Sequence, residues 1–220
     1  MTGPGPADSA PPDPTPVGSP PAASGLPSWT SQLTSTAPVA GPAGLYYADV
    51  PNRTIAYIID AILLGILHLV VGAVLGGIGL NAITINANAT GFNNLVTFNP
   101  VVGLIQAVIF AAISGAYFVY TWTAMRGSPG QKVLGMQVGN ATDGKTLTTE
   151  QAIKRWVALG APFGIAQALN PLPGLGILIG LAAFVWFIAL LVTTAQSPTK
   201  QGLHDRYAGT VVVKTARAVA

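Results

Sequence analysis

The chain has 220 residues, of which 10 are Lys or Arg and 7 are Asp or Glu, so 8% carry charge, against about 25% in a soluble domain. Charge is absent from two stretches, 65 residues from Ala61 to Met125 and 44 residues from Trp156 to Thr199. Such stretches belong in lipid and exclude an ordinary soluble globule. Because the sequence has no Cys, it also excludes disulfides and Cys nucleophiles.

Residues 1–48 form a Pro-rich segment that holds 11 of the 18 prolines and no Lys or Arg. Because this composition offers too little apolar surface for a core, we predict a disordered segment, followed by a membrane domain over residues 49–220. The stretch PPDPTP from Pro11 to Pro16 favours a polyproline II helix, which would dock on an aromatic groove of a cytoplasmic partner. The alternative is a plain flexible tether.

Two apolar helices are predicted next, with spans at about 54–80 and 101–125. Each has enough residues to cross about 30 Å of hydrocarbon at a rise of about 1.5 Å per residue. The second span ends in a belt of aromatic residues, as is typical of a membrane surface. The uncharged polar residues 81–100 connect the two helices, so we expect the helices to form a hairpin.

The polar residues 126–155 carry five Lys or Arg and two acidic residues. Around Asp143 and Gly144, the stretch QKVLGMQVGNATDGKTLT alternates imperfectly between polar and apolar residues, which predicts a small β-hairpin at the membrane surface. Thr148 and Gln151 have the spacing of a capping box, so a helix should begin there.

The remaining apolar residues predict spans at about 154–170 and 176–196. Pro162 interrupts the first of these, which either crosses the membrane or is re-entrant.

The distribution of Lys and Arg favours four crossings. Residues 126–155 and 197–220 are basic, whereas residues 81–100 have no charge, so the positive-inside rule places both basic segments in the cytoplasm. The sequence therefore predicts an all-α, multi-pass plasma-membrane protein, with four transmembrane helices arranged as two hairpins and both termini in the cytoplasm. Because the bases flank apolar segments without interleaved aromatics, no nucleic-acid partner is predicted.

Asp60 is the single acidic residue inside a predicted span. A charged Asp within the membrane costs about 2.5 to 3.5 kcal/mol on insertion scales, so Asp60 is a candidate functional group. Arg53 lies seven residues earlier, about 20° away around the helix and about 10.5 Å along its axis. Tyr57 lies between them, so the three residues should form a polar stripe leading inward.

Polar residues on other segments should complete this site. Tyr117, on the second span, should lie level with Asp60, and we predict that Tyr117 or Ser114 donates a hydrogen bond to the Asp60 carboxylate. His68 lies deeper, about 80° around the helix from Asp60, and is either a proton-relay residue or a packed histidine. In the polar tail, Asp205 precedes a β-prone VVV, which predicts a latch at the membrane surface. No metal or cofactor site is predicted.

Several ordered motifs over about residues 45–215 resemble the RDD family of bacterial membrane proteins, named for one Arg and two Asp. These motifs are NRTIAYIIDAILL, GSPGQKVLGMQV, a DG turn followed by LT, QAIKRW and LHDRYAGTVVV. The resemblance places the family's Arg at Arg53 and its first Asp at Asp60. It places the second at Asp205, with Asp143 as the alternative. The Pro-rich front lies outside the resemblance and suits an actinobacterial source.

The resemblance implies a membrane domain, with transport among the functions proposed for the family. Two hypotheses follow. In the first, the protein, as a homodimer, assists ion or small-solute transport, with Asp60 as the responsive group held by Arg53 and Tyr117. In the second, the polar stripe only locks the bundle of a membrane scaffold, and the Pro-rich arm recruits a partner. An enzyme is not expected, because no nucleophile, base and oxyanion set can be assembled.

Overall fold

A computed structural model of the chain describes residues 39–169 and 175–217. The helices are α1 (Val50–Gly77), α2 (Phe92–Leu95), α3 (Pro100–Ala124), α4 (Pro129–Val133), α5 (Thr149–Leu169), α6 (Leu175–Gln196) and α7 (Leu203–Ala208). The strands are β1 (Leu45–Tyr47), β2 (Ile83–Ile85), β3 (Val96–Phe98), β4 (Met136–Asn140) and β5 (Thr210–Arg217). The Pro-rich residues before residue 39, and the turn between the last two predicted spans, lie outside the described residues.

Three helices in the described part of the chain are long and apolar enough to cross a membrane, namely α1, α3 and residues Gly176–Gln196 of α6. The 28 residues of α1 extend about 42 Å, more than the hydrocarbon core of about 30 Å. Many large apolar side chains on these helices are exposed. Lipid would cover them, so the structure agrees with three of the four predicted spans.

The helix α5 takes the place of the remaining predicted span and packs between α3 and α6. It begins at the predicted capping box. The backbone N–H of Gln151 donates to Thr148 Oγ1 at 3.2 Å, and the backbone N–H of Thr148 donates to Gln151 Oε1 at 3.0 Å. Pro162 was expected to interrupt this helix, but α5 continues through it to Leu169. Because its first turns carry charged residues, α5 is not among the three candidate spans.

A three-stranded antiparallel sheet in the order β1–β5–β4 lies where the sequence predicts a single hairpin. The turn at Asp143 and Gly144 does form, and Gly144 adopts a positive φ of 67° there. The prediction that β4 continues through this turn into a second strand is wrong. Instead β4 pairs with the VVV segment of β5, with Met136 opposite Lys214 and Asn140 opposite Thr210.

The reason for this pairing is the burial of two apolar strand faces. Met136 and Val138 of β4 are completely buried, as are Val212 and Val213 of β5, whereas the residues after Gly144 lead directly into α5. On the other side of β5, β1 adds a third strand. The strand β1 therefore lies before the predicted domain boundary at residue 49.

The sheet, α4 and α7 together form what we call the polar layer. This layer covers the end of the bundle where α1 and α5 begin and where α3 and α6 end. At the opposite end, the uncharged connection between α1 and α3 contains the antiparallel pair β2–β3, which the sequence analysis did not predict. The polar layer thus places residues distant in the sequence next to the first turns of α1.

Candidate functional site

The Asp60 carboxylate is 2% exposed and both of its oxygens accept hydrogen bonds. Tyr117 donates its hydroxyl to Oδ1 at 2.8 Å, which confirms the predicted contact between α1 and α3. Ser114, the alternative donor, instead accepts a hydrogen bond from Trp156 Nε1 at 3.1 Å. The remaining donors to Asp60 come from α4 and its N-cap, a short helix that the sequence analysis did not predict.

Ser128 and Gly130 attach this segment to Asp60. The Ser128 hydroxyl donates to Oδ2, and the Gly130 backbone N–H donates to Oδ1 at 2.8 Å. Gly130 lies so close to α1 that a Cβ atom there would overlap the carbonyl oxygen of Ala56. The close approach therefore requires glycine, and Asp60 fixes α4 on the membrane helix.

The Gln131 side chain explains why the sequence GSPGQ folds in this way. Its Oε1 accepts from the Ser128 backbone N–H at 3.0 Å and from Trp122 Nε1 at 3.1 Å. The first contact completes a capping box at the start of α4, and the second attaches α4 to the end of α3. The spacing of Ser and Gln was the available signal for this short helix.

Arg53 was expected to hold Asp60, and this expectation is wrong. Its guanidinium donates to Asp205 Oδ2 at 2.6 Å and to the Ala48 carbonyl at 3.0 Å. The axial separation of about 10.5 Å between positions 53 and 60 explains the difference, because the Arg53 side chain extends into the polar layer instead of along α1. The structure thus joins the Arg of the resemblance to Asp205, while Asp143 only caps its own turn through the Lys145 N–H at 2.9 Å.

Asp205 is completely buried at the centre of a second cluster. Besides Arg53, it accepts from Arg155 on α5, from the Gly202 N–H at 3.2 Å and from the Thr210 hydroxyl at 3.3 Å. Burial alone would raise the pKa of Asp205, but the charges of Arg155 and Arg53 outweigh that effect and hold the pKa far below its usual range. The carboxylate therefore stays ionised, as two buried guanidiniums require.

Arg155 is the main residue of this cluster that sequence reasoning missed. It is 3% exposed, donates also to Thr210 Oγ1 at 2.7 Å and lies over the Trp122 ring at 5.2 Å. Its position in the motif QAIKRW, early in a predicted amphiphilic helix, was the available signal. The motif alone does not reveal that Arg155 is buried, because this burial depends on the distant strand β5.

His204 lies beside this cluster, with Nε2 3.5 Å from Asp205 Oδ2. Burial lowers the pKa of His204 to about 4; Asp205 opposes that effect, and Arg155 and Arg53 reinforce it. The folded protein therefore holds the imidazole neutral at pH values where the unfolded chain, with a pKa near 6.5, already binds a proton.

We expect the protein to lose stability as the pH falls from about 6.5 to 4, because the unfolded state binds more protons in that window. The His204 contribution should reach about 3 kcal/mol at the acidic end. Thermal unfolding in detergent between pH 7 and pH 4 measures it, and His204→Gln should flatten the dependence. An equal slope in that variant would contradict the assignment.

A cavity of about 580 Å³ lies between α1, α3, α5 and α6 and joins the two clusters. Arg53, Asp60, Arg155 and His204 border it near the polar layer. Tyr57, which is 42% exposed, also lines the cavity. The predicted stripe of Arg53, Tyr57 and Asp60 is therefore the α1 side of a cavity wall.

His68 borders the deep part of the cavity. Its ring stacks on Phe110 with centroids 4.7 Å apart, and its Nε2 has no hydrogen-bond partner among the described residues. The ring contact agrees with the packed alternative of the sequence analysis. Among the described residues, no continuous chain of hydrogen bonds links His68 to Asp60.

Comparison with known proteins agrees with the motifs that the structure brings together. The family model of the RDD family matches residues 47–209, which include α1, β4 and the carboxylates at the centre of both buried clusters. No curated protein and no solved structure matches the chain. Since the matched region covers most of the sequence and contains Arg53, Asp60 and Asp205, the chain belongs to the RDD family.

Proposed function

We propose that the protein is a small membrane transport module in which the cavity between α1, α3, α5 and α6 is the solute site. The cavity itself carries this proposal, because about 580 Å³ is within the range of pockets that bind small molecules. It extends between membrane-spanning helices and borders a buried carboxylate, Asp60. An ionisable group at such a place is a functional candidate by default.

In this proposal α5 is the fourth crossing and the polar layer faces the cytoplasm, with both termini on that side. The 21 residues of α5 extend about 31 Å, and α5 packs between two candidate spans, which supports a membrane position. The basic residues around α4 and in the tail favour the cytoplasmic side. We further propose a homodimer, because a bundle of this size gives a solute little room to cross alone.

Asp60 would couple the cavity to the polar layer. Its carboxylate borders the cavity and at the same time holds Ser128 and Gly130. Protonation or a bound cation would weaken those two contacts, since both donors require an acceptor oxygen. The consequence would be release of α4 from α1, which opens the cavity towards the cytoplasm.

A scaffold is the second candidate function, and the saturation of Asp60 favours it. Tyr117, Ser128 and Gly130 already satisfy both carboxylate oxygens, as expected of a structural lock. In that case the Pro-rich residues 1–48 would recruit a cytoplasmic partner, and the cavity would be filled by lipid.

Flux through proteoliposomes separates the two candidates. Under the transport proposal, wild type should move protons or monovalent cations along an imposed gradient. Asp60→Asn should reduce that flux at least about tenfold, because an amide side chain carries no charge and does not bind a proton near neutral pH. Asp143→Asn, on the exposed turn, is the matched control and should retain the flux. A wild type without flux under any of these gradients, or a folded Asp60→Asn variant with full flux, would contradict the role proposed for Asp60.

A further inference from the structure

The cavity is elongated along α1. On the α1 side its lining extends from Arg53 to His68, fifteen positions that correspond to about 22 Å along the helix. This length is most of the hydrocarbon depth of about 30 Å, so the cavity suits an elongated ligand.

The walls of the cavity are apolar along most of this length. They include Leu64 of α1, Phe110 of α3, Leu159 and Phe163 of α5, and Phe187 and Leu190 of α6. An acyl chain would bury its surface favourably against these walls. The body of the ligand should therefore be aliphatic.

The end of the cavity at the polar layer has different chemistry. Arg53 and Arg155 both contact Asp205 there, and Asp49 is a second carboxylate that acts on Arg53. The Nε of Arg155 is buried and has no hydrogen-bond partner among the described residues. Because an unpaired buried donor on a cation is costly, this end is suited to an anionic group.

Asp60 lies about 10.5 Å further along α1 than Arg53, and its two oxygens already accept three hydrogen bonds. The cavity therefore has a direction, with the anion-binding end at Arg155 and the deep end at His68.

We propose that the cavity holds a long acyl chain whose anionic head group lies at the Arg155 end. The inference goes beyond the proposed function, because it concerns what occupies the cavity and not which ion crosses the membrane. A free fatty carboxylate and one chain of an anionic phospholipid share this chemistry.

Trp122 and Trp156 both line the cavity, so quenching of their fluorescence by chain-brominated probes measures occupancy. The purified full-length protein in detergent is titrated with brominated stearate, its neutral methyl ester and brominated phosphatidylglycerol. At least one anionic probe should quench saturably at a concentration roughly tenfold lower than the ester, since a hydrogen bond to a charged group discriminates by about that factor. Quenching by stearate alone assigns a free fatty acid, and quenching by the phospholipid assigns a membrane lipid; both support the proposal.

Two neighbouring residues of α3 provide the matched variants. Ala111 lines the cavity, whereas Ala112, also exposed on α3, is not part of its lining. Ala111→Phe should abolish saturable quenching and Ala112→Phe should preserve it, with thermal unfolding of both variants measured alongside. If Ala111→Phe does not fold, the comparison of stearate, ester and phospholipid on wild type decides the question.

Equal quenching by the ester and by both anionic probes, or equal quenching in both folded variants, would overturn the proposal. Its failure is distinguishable from failure of the transport function. Saturable anionic binding without flux leaves the acyl site standing and contradicts transport, whereas flux without saturable binding contradicts only the acyl site.

Discussion

Replacing Asp205 with Asn is expected to lower the unfolding temperature of the detergent-solubilised protein by about 10 °C or more. The change removes the carboxylate that pairs with both Arg53 and Arg155, and Arg155, which is 3% exposed, keeps no other ion pair among the described residues. Removing one partner of a buried ion pair costs about 3–5 kcal/mol, and each kcal/mol shifts the midpoint of a protein of this size by about 2–4 °C. Thermal unfolding followed by tryptophan fluorescence measures the effect.

Asp143→Asn is the control for this prediction, because it removes the other carboxylate that the sequence resemblance left open. Asp143 makes contacts only within its turn, so its replacement should leave the midpoint nearly unchanged. The double variant Asp205→Asn with Arg155→Gln should recover part of the loss, since one of the two unneutralised charges is then absent. Equal destabilisation by the two Asp→Asn changes would show that the buried cluster is not the main electrostatic lock.

Gly130→Ala is expected to destabilise the protein strongly. The added Cβ would overlap the Ala56 carbonyl oxygen and lie 3.0 Å from Asp60 Cγ, so α4 would have to move away from α1. Overpacking of this kind costs about 1–3 kcal/mol, and displacement of α4 also removes the Gly130 hydrogen bond to Asp60. Thermal unfolding should show a drop of about 5–10 °C.

Gly180→Ala on α6 is the matched control, because a Cβ at that position meets nothing within 4 Å. In a helix interior this change should stabilise the protein by about 0.5–1 kcal/mol. If Gly130→Ala behaves in the same way as Gly180→Ala, the close contact between α4 and α1 does not hold the two elements together.

Local patterns in the sequence were sufficient for the long helices and for one specific contact. Charge-free apolar runs predict α1, α3 and α6, and the capping box predicts the start of α5. The level of Tyr117 followed from counting residues from the end of its span, and the hydrogen bond to Asp60 at 2.8 Å confirms it. These features depend on helix geometry, which repeats regularly along the chain.

Pairings across long sequence separations were not predictable in the same way. Arg53 and Asp205 are 152 positions apart, and β4 selects β5 instead of the residues just beyond its own turn. Both pairings depend on which apolar faces are buried against each other. A single sequence does not show this as a regular repeat of residue types. The role of Gly130 was missed for a related reason, since the need for glycine arises from the approach of α1 and not from its own turn.

The central position of β5 also has a consequence for the order in which the protein assembles. The strand is the last described element of the chain, yet it lies between β1, which precedes the first span, and β4, which lies between the second and third. During synthesis, the membrane helices therefore emerge before the strand and the carboxylate that neutralise Arg53 and Arg155. Ribosome-bound chains truncated before β5 should keep these two arginines hydrated at the membrane surface, and the emergence of β5 should complete the packing of the polar layer.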